Sequence, residues 1–238
     1  RLTSIQDLCY WNLVLQLAAN FLVNFALAFK NRTMYSESIF FQGEAILVQL
    51  LEERIRKSGK VCPGDVLKVN DFLNHQIDVP FISKLGQEFY NLYKDCGVSK
   101  ILTIEASGIG VACLTAQFFN CPVLFAKKAM TSNMTDDVYT APVYSYTHHC
   151  SGTIFVNKEF LKSEDKVLII DDFLANGSAL NALVTLCKES KANIVGAGIV
   201  IEKAYQPGGD LIRKEGIRVE SLARIRSMSI ENGIEFCV

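Results

Sequence analysis

The sequence predicts an α/β fold in which a doubly wound parallel sheet is covered by helices on both faces. Its 238 residues are 50% hydrophobic and include 5 prolines, so the chain has enough apolar surface to close a large core. Residues 166–171 (KVLIID) enclose the continuous apolar run VLII, which is typical of a strand buried on both faces. Such runs alternate with helical periodicity from residue 45 onward, which is the arrangement of parallel sheets.

The individual elements follow from the spacing of apolar residues. Ile46, Leu47, Leu50, Leu51 and Ile55 fall on one helical face, so a first helix is predicted to end near residues 57–59. Further helices are predicted at residues 81–93, 108–119, 178–191 and 208–214, and strands at residues 66–69, 101–105, 123–126, 166–171, 194–202 and 217–222. Residues 138–147 and 153–156 predict a hairpin.

The first 45 residues differ from the rest in composition. Residues 8–29 carry no charged side chain, and this length is close to the ~20 residues of a membrane span. Asn12, Gln16, Asn20 and Asn24 recur at every fourth position, however, and place a polar stripe along a helix. The stripe favours a packed or surface-lying amphipathic helix, with a membrane span or a signal peptide as the alternatives.

Charge and cysteine content narrow the class of protein. The 24 basic residues balance 25 acidic ones, so we expect no nucleic-acid partner. We also expect no membrane association. The eight cysteines are spread along the chain without the spacing of zinc sites, and they are interpreted as reduced thiols of a cytosolic protein. A disulfide framework is the alternative.

Ligands of an open α/β sheet lie beyond the carboxyl ends of its strands, and this rule selects three segments. The first is Glu105-Ala106-Ser107-Gly108-Ile109, where a strand leads into a helix whose N-terminal N–H groups can hold an anion. Small residues at such a turn are equally compatible with plain packing.

The second segment is residues 167–179 (VLIIDDFLANGSA), in which Asp171 and Asp172 end a buried strand. A small loop containing Gly177 then turns into a helix. Such a loop can wrap a phosphate with main-chain donors, while the carboxylates accept hydrogen bonds from ribose hydroxyls. The segment therefore predicts a sugar-phosphate site. An Asp-rich helix cap is the alternative, which explains Asp172 or Asn176 but not the whole assembly.

Residues 169–177 (IIDDFLANG) resemble the signature of the type I phosphoribosyltransferases, which bind 5-phosphoribosyl 1-diphosphate. Three further segments narrow the resemblance: residues 67–78 (LKVNDFLNHQID), 201–203 (IEK) and 219–225 (VESLARI). Over residues 48–238 the chain closely resembles the bacterial xanthine phosphoribosyltransferases. The resemblance implies transfer of the phosphoribosyl group to xanthine in purine salvage, which yields xanthosine 5′-monophosphate and diphosphate.

The resemblance also implies an architecture and partners. The sheet is expected to carry a small hood and a flexible lid loop. A phosphoribosyltransferase domain at residues 46–238 is expected to follow an extension at residues 1–45. The enzyme is expected in the cytoplasm as a homodimer, with Mg²⁺ bound together with phosphoribosyl diphosphate. No residue is assigned as a metal ligand.

The resemblance assigns roles by position. The 5-phosphate is expected at Ala175, Asn176, Gly177, Ser178 and Ala179. Asp171 and Asp172 are expected to be catalytic residues at the ribose hydroxyls, and xanthine is expected at Leu67, Asn74 and Lys203. The residue types fit, because an ammonium can meet exocyclic oxygens and an amide offers both donor and acceptor. Without the resemblance, Lys203 is more simply a solvated strand end and Asn74 a turn residue.

The third segment, residues 125–137 (FAKKAMTSNMTDD), is interpreted as a mobile lid that excludes water while diphosphate is displaced. Lys127 and Lys128 are expected to contact diphosphate, and Lys128 is assigned to catalysis. Glu105, Ser107 and Gly108 of the first segment are expected to bind phosphoribosyl diphosphate. The lid departs from the family pattern, in which a further basic residue follows the pair. A solvated lysine pair is the alternative.

The histidines are not assigned to the reaction. His75 lies beside Asn74, but a lone histidine is more often a structural donor than a proton shuttle. His148 and His149 are interpreted as part of an incidental turn.

Two other functions share the same sugar-phosphate site. A purine-repressor-like regulator would sense phosphoribosyl diphosphate beside a DNA-binding domain. Residues 1–45 carry 3 basic and 3 acidic side chains, however, whereas a DNA-reading module is expected to be basic. An enzyme for guanine or hypoxanthine is the second alternative, because base choice rests on a few pocket contacts.

Overall fold

A computed structural model describes residues 48–129, 137–145 and 150–237. The predicted extension at residues 1–45, most of the predicted lid, and His148 and His149 lie outside the described residues. Within the described ranges, no helix is long and apolar enough to cross a membrane.

The described chain alternates strands and helices, which confirms the α/β class. In chain order the elements are α1 (residues 48–58), β1 (Lys60–Cys62), β2 (Val66–Lys68), α2 (Val79–Tyr93), β3 (Lys100–Ile104), α3 (Ser107–Phe119), β4 (Val123–Ala126), β5 (Val138–Ser145), β6 (Cys150–Asn157), β7 (Lys166–Leu174), α4 (Ser178–Ser190), β8 (Asn193–Lys203), α5 (Gly208–Lys214), β9 (Val219–Ser229) and β10 (Gly233–Phe236). A π-helical turn at Asn70–Asn74 precedes α2, and a 3-10 turn at Lys94–Cys96 follows it.

The central sheet has six strands in the order β10-β9-β8-β7-β3-β4. Five of them pair in parallel, and β10 joins the edge antiparallel to β9. Counted in chain order, the parallel strands follow the order 2-1-3-4-5, so the order reverses between β3 and β7. The doubly wound sheet is therefore confirmed, and its ligand crevice is expected at the carboxyl ends of these two strands.

Strand β7 is covered on both of its faces. Leu168 and Ile170 belong to an apolar cluster that side chains from α1, α2 and α3 complete. Val167 and Ile169 belong to a second cluster, which side chains from α4, α5 and the antiparallel β5–β6 hairpin complete. All four residues have no exposed surface. This alternation between two cores is the physical reason that the run is apolar throughout.

The small hood consists of β1, β2 and the π-helical turn. Strands β1 and β2 pair antiparallel around a turn in which Gly64 and Asp65 have positive φ values of 78° and 62°. The sequence pattern does not predict β1. After the π-helical turn, Asp78 caps α2 by accepting a hydrogen bond from Phe81 N at 3.2 Å. This cap explains why α2 begins earlier than its apolar periodicity predicts.

Two strands extend beyond the apolar runs that predict them. Strand β7 continues to Leu174, which pairs with Glu202 of β8. Asp171 and Asp172 therefore lie inside a strand rather than at its end, which corrects the prediction. Strand β9 is also longer than predicted, and the chain returns through Gly233 (φ 72°) as β10, which is not predicted. Strand ends depend on pairing with neighbours, and an apolar run does not record that pairing.

Candidate active site

A cleft of about 910 Å³ opens at the carboxyl ends of β3, β7 and β8, and the hood turn forms part of its wall. This is the edge at which the strand order reverses, as expected. Twelve of the fifteen predicted site residues line the cleft: Leu67, Glu105, Ser107, Lys128, Asp171, Asp172, Ala175, Asn176, Gly177, Ser178, Ala179 and Lys203. The other three, Asn74, Gly108 and Lys127, each touch or adjoin a lining residue.

Asp171 and Asp172 are almost fully buried, with 4% and 8% of their surface exposed. The main-chain N–H of Asp172 donates to Asp171 Oδ1 at 3.0 Å. Burial, together with the neighbouring charge of Asp172, raises the pKa of Asp171 well above its usual range. Two crowded carboxylates favour ligands that bring hydrogen-bond donors or positive charge, such as ribose hydroxyls or a divalent cation.

Asn74 connects the hood to this carboxylate pair. It ends the π-helical turn, and its Nδ2 donates to Asp172 Oδ2 at 2.6 Å. Its Oδ1 is buried and has no hydrogen-bond partner among the described residues. A buried amide oxygen without a partner costs free energy, so this position favours a ligand with an N–H group, such as a purine.

The loop between β7 and α4 is shaped by small residues. Gly177 has a φ of 87°, and a Cβ there would meet Gly208 Cα at 2.8 Å. The main-chain N–H of Gly208 donates to Ala175 O at 3.1 Å. Asn176 Oδ1 accepts from Ser178 N at 2.8 Å, so this side chain supports the turn. The loop brings the N-terminus of α4 to the cleft, where its N–H groups suit a phosphate.

The turn into α3 places Glu105 and Ser107 on the cleft and Gly108 behind the lining. A Cβ at Gly108 would meet Asp171 Oδ1 at 2.9 Å and would collide with Thr103 Oγ1. The glycine therefore lets α3 approach Asp171 closely. The sequence predicts that Gly108 binds substrate. It does not tell whether the glycine contacts substrate or only makes room for α3 beside Asp171.

The two lysines at the start of the predicted lid have different surroundings. Lys127 exchanges main-chain hydrogen bonds with Phe155 of β6, at 3.0 and 2.9 Å. Lys128 lines the cleft, and its main-chain N–H donates to the carboxylate of Glu105. Lys128 is thus the lysine of this pair that the structure brings to the cleft. Residues 130–136 of the predicted lid lie outside the described residues.

Lys203 is the last residue of β8 and is 9% exposed. Its Nζ donates to the main-chain oxygen of Asp65 and lies 3.7 Å from Asp65 Oδ2. Burial lowers the pKa of Lys203, and the charge of Asp65 opposes that effect. Leu67, two residues after Asp65, is 7% exposed and adds apolar surface to the same wall.

Three residues around Lys203 were missed by sequence reasoning. Tyr205 O–H donates to Asp65 Oδ1 at 2.6 Å, and Gln206 Nε2 donates to Asp65 Oδ2. The run Pro63-Gly64-Asp65 is a turn signal in the sequence. That signal does not tell which distant segment the carboxylate will meet.

The cleft offers oxygen ligands but not a complete metal site. Among the described residues, no cluster of three or more His, Cys, Asp or Glu side chains could hold a metal ion. Asp171 and Asp172 supply fewer oxygens than an octahedral Mg²⁺ requires, so a bound ion would complete its coordination with substrate and water.

Known proteins resemble this chain in sequence and in fold. Residues 81–217 match the family model described as phosphoribosyl transferase domain. The xanthine phosphoribosyltransferase of Lachnoclostridium phytofermentans is 53% identical over 186 residues, which cover 78% of this chain and 96% of that protein. That of Ligilactobacillus salivarius is 50% identical over 189 residues, or 79% of this chain and 98% of that protein.

Solved structures show the same fold at lower identity. The APRTase of Giardia lamblia, complexed with 9-deazaadenine, aligns with a TM-score of 0.63 and 23% identity, over 73% of this chain and 97% of that one. The adenine phosphoribosyltransferase of Thermoanaerobacter pseudethanolicus aligns with a TM-score of 0.60 and 15% identity, over 73% and 99% of the two chains. At these identities the likeness is one of fold.

Proposed function

This chain belongs to the phosphoribosyl transferase domain family, and from that premise we propose that it is a xanthine phosphoribosyltransferase of purine salvage. It transfers the 5-phosphoribosyl group of 5-phosphoribosyl 1-diphosphate to xanthine and releases diphosphate. The observation that carries the proposal is a single cleft that combines a buried carboxylate pair, a glycine loop before a helix and a buried lysine. The relatives named for this reaction match nearly their whole length to this chain.

In this proposal the sugar phosphate binds across β7 and α4. The 5-phosphate contacts the main chain of residues 175–179 and the N-terminus of α4, where N–H groups favour an anion. Asp171 and Asp172 accept hydrogen bonds from the ribose hydroxyls, which their burial and crowding favour. The diphosphate lies toward Lys128 and the turn into α3, which line the adjoining part of the cleft.

Xanthine binds at the hood end of the cleft. Lys203 donates to an exocyclic oxygen, Asn74 meets the edge of the purine with its amide, and Leu67 packs against the ring. Xanthine carries two exocyclic oxygens, whereas guanine replaces one of them with an amino group. A buried ammonium, which only donates hydrogen bonds, can therefore meet either exocyclic oxygen of xanthine but only one exocyclic position of guanine.

The reaction joins a purine nitrogen to the anomeric carbon while the bond from that carbon to diphosphate breaks. Positive charge develops on the ribose ring in the transition state, and the buried carboxylates beside the ribose are placed to stabilise it. Apolar side chains in the cleft wall, Ile104, Val143 and Leu174, help to exclude water that would hydrolyse the activated sugar.

The residues of the cleft fit a magnesium ion that arrives with its substrate. When bound, Mg²⁺ neutralises charge on the departing diphosphate. Asp171 and Asp172 are the residues that would hold it, because they are paired oxygen ligands on the cleft and Asp171 is stabilised by added positive charge.

We place the enzyme in the cytoplasm as a homodimer. Six cysteines with described side chains, at positions 62, 96, 113, 121, 187 and 237, are free thiols, the state that a reducing compartment maintains. The homodimer follows from the family resemblance. Sedimentation velocity tests it: a species of twice the chain mass is expected, and a monomer at every concentration would contradict it.

The activity is tested with the full chain, phosphoribosyl diphosphate and Mg²⁺, with xanthine, guanine or hypoxanthine as the base. Chromatography of the nucleotides should show xanthosine monophosphate, with kcat/KM at least about tenfold higher for xanthine than for either other base. Turnover of guanine alone would contradict the base assignment, and turnover of none of the bases would contradict the enzymatic function.

A further inference from the structure

Asp65 lies in the turn of the hood, and its three oxygen atoms meet one distant segment of the chain. Its main-chain oxygen accepts from Lys203 Nζ, its Oδ1 from Tyr205 O–H, and its Oδ2 from Gln206 Nε2. Its partners come from the end of β8 and the loop that follows, about 140 positions away. Asp65 and these three partners are called the hood latch below.

The backbone of the turn favours a particular residue type at this position. Asp65 has a φ of 62°, in the left-handed region that glycine adopts most readily and that Asp and Asn tolerate better than other side chains. An aspartate in this conformation points to a use for its carboxylate. That use is visible in the two hydrogen bonds that Tyr205 and Gln206 donate to it.

The hood latch restricts a side chain that lines the cleft. The Lys203 ammonium has three donors on a flexible stem. One donor is used on the main-chain oxygen of Asp65, and the carboxylate of Asp65 lies 3.7 Å from the same nitrogen. The Lys203 side chain is 10% exposed, so its charge is poorly solvated and depends on this neighbour.

We propose that Asp65 is a positioning residue for base recognition, which holds the hood turn against the core and fixes the Lys203 ammonium where an exocyclic oxygen of an oxidised purine binds. The inference rests on the proposed function, which assigns Lys203 to the base. Fixing a flexible ammonium before the base arrives lowers the entropy cost of ordering it during binding. Asp65 acts through Lys203 and does not touch the reacting atoms.

The kinetic test uses Asp65→Asn, which keeps the side-chain size and adopts the same φ. The variant loses the charge beside Lys203, and its single amide oxygen can no longer serve both Tyr205 and Gln206. KM for xanthine is expected to rise about tenfold, because one charge-assisted contact is lost. KM for phosphoribosyl diphosphate and kcat are expected to stay within about twofold.

Asp71→Asn is the matched control for this experiment. Asp71 is also an exposed aspartate of the hood, but it lies 3.7 Å from Arg54 and has no contact with the hood latch among those that the structure describes. The Asp71→Asn variant should have the same kinetic constants as the wild type. Equal xanthine KM values in the two variants, or parallel increases of both KM values in Asp65→Asn, would overturn the proposal.

A second measurement does not depend on activity. Gln206→Glu places a carboxylate against that of Asp65, so hydrogen exchange at the amides of β1 and β2 should accelerate at least about fivefold. Adding Asp65→Asn to this variant restores a donor–acceptor pair with the roles reversed. Hydrogen exchange at the amides of β1 and β2 should therefore become slow again. An unchanged exchange rate in Gln206→Glu, or fast exchange that persists in the double variant, would overturn the claim that Asp65 holds the hood turn.

The two measurements separate this inference from the proposed function. A wild-type chain that turns over no xanthine would contradict the proposed function, and with it the role of Asp65 in base recognition. The exchange measurement would still decide whether Asp65 holds the hood. A wild type that turns over xanthine while Asp65→Asn leaves its KM unchanged would contradict the inference alone.

Discussion

The two ends of the cleft are built in different ways. At the proposed phosphate end, residues 171–179 are consecutive, and two of their side-chain hydrogen bonds join residues one or two positions apart. At the base end, Asn74 meets Asp172 across 98 positions of sequence, and Lys203 meets Asp65 across 138. The phosphate end is a local motif, whereas the base end exists only once the fold has formed.

This difference indicates which properties can change separately. In the proposed assignment, a local loop can recognise a sugar phosphate whatever base is bound, while the distant contacts around Lys203 act on the base. Substitutions in the loop at residues 175–179 should therefore act mainly on KM for phosphoribosyl diphosphate, and those at the hood end mainly on KM for xanthine. The described contacts that join residues 171–179 to distant segments include Gly208 on Ala175 and Asn74 on Asp172, and only Asn74 belongs to the hood.

The largest effect is expected at the carboxylate pair, which serves the phosphate end. The double substitution Asp171→Asn and Asp172→Asn should lower kcat by about a thousandfold or more, because the charge that stabilises the transition state is lost. Steady-state kinetics at saturating substrates measure this effect. Turnover within about tenfold of wild type would remove the pair from the reaction.

The same pair gives an opposite expectation for stability. The folded-state pKa of Asp171 is raised, so its ionisation destabilises the folded state as pH rises above the pKa of the unfolded chain. Asp171→Asn should therefore preserve or raise the melting temperature at neutral pH. A marked loss of thermal stability would indicate that the ionised carboxylate stabilises the fold.

Gly177→Ala tests the local construction of the phosphate end. The new Cβ combines a φ of 87° with a collision at Gly208, so KM for phosphoribosyl diphosphate should rise at least about tenfold. KM for xanthine should change by less than about twofold. Gly233→Ala is the matched control, because Gly233 has a similar φ of 72° but open space around its missing Cβ. Equal kinetic effects in both variants would contradict the role of the Gly208 contact.

Asn74→Ala tests whether the two ends are as separate as their construction suggests. Asn74 lies in the hood but donates to Asp172, so both KM values should rise, by roughly three- to tenfold. Asp65→Asn should raise only the KM for xanthine. If Asn74→Ala changed the xanthine KM alone, its hydrogen bond to Asp172 would make no contribution to sugar binding.

The smallest effect on activity is expected at Glu202, which precedes Lys203 in β8. Its carboxylate is 2% exposed and accepts from Arg213 at 2.7 and 2.8 Å and from Arg224 at 3.2 Å. Burial alone would raise the pKa of Glu202, but the hydrogen bonds and charges of Arg213 and Arg224 outweigh burial and lower it. The carboxylate therefore stabilises the fold above the unfolded pKa of glutamate, and this contribution is lost as pH falls through the folded value.

Glu202→Gln should therefore change kcat by less than about twofold and lower the free energy of unfolding by about 2 kcal/mol at pH 7. The difference from wild type should narrow as the solution is acidified below about pH 4. Urea unfolding at several pH values measures both quantities. A difference that does not depend on pH would show that packing, rather than charge, is what the substitution removes.

The same contrast explains what the sequence could predict. The apolar run of β7 and the small loop after it encode their structure locally, so the sequence predicted both the sheet and the loop that leads into α4. The end of β7 was not, because pairing of Leu174 with β8 extends the strand past its apolar run. Strands β1 and β10 were missed because their turns and partners, rather than their own few residues, define them.

The hood latch was beyond sequence reasoning for the same reason. Asp65 belongs to a recognisable turn, but its carboxylate depends on Tyr205 and Gln206, which only the folded sheet brings near. Lys203 and Asn74 were identified through the family resemblance, and their residue types alone favoured simpler roles.

The most direct test of the central claim is a calorimetric titration of the full chain with phosphoribosyl diphosphate in the presence of Mg²⁺. The account predicts saturable binding at one site per chain, which Asp65→Asn leaves unchanged and the double Asp171→Asn, Asp172→Asn variant markedly weakens. Absence of saturable binding by the wild-type protein, or full binding by the double variant, would contradict the assignment of this cleft to an activated sugar phosphate.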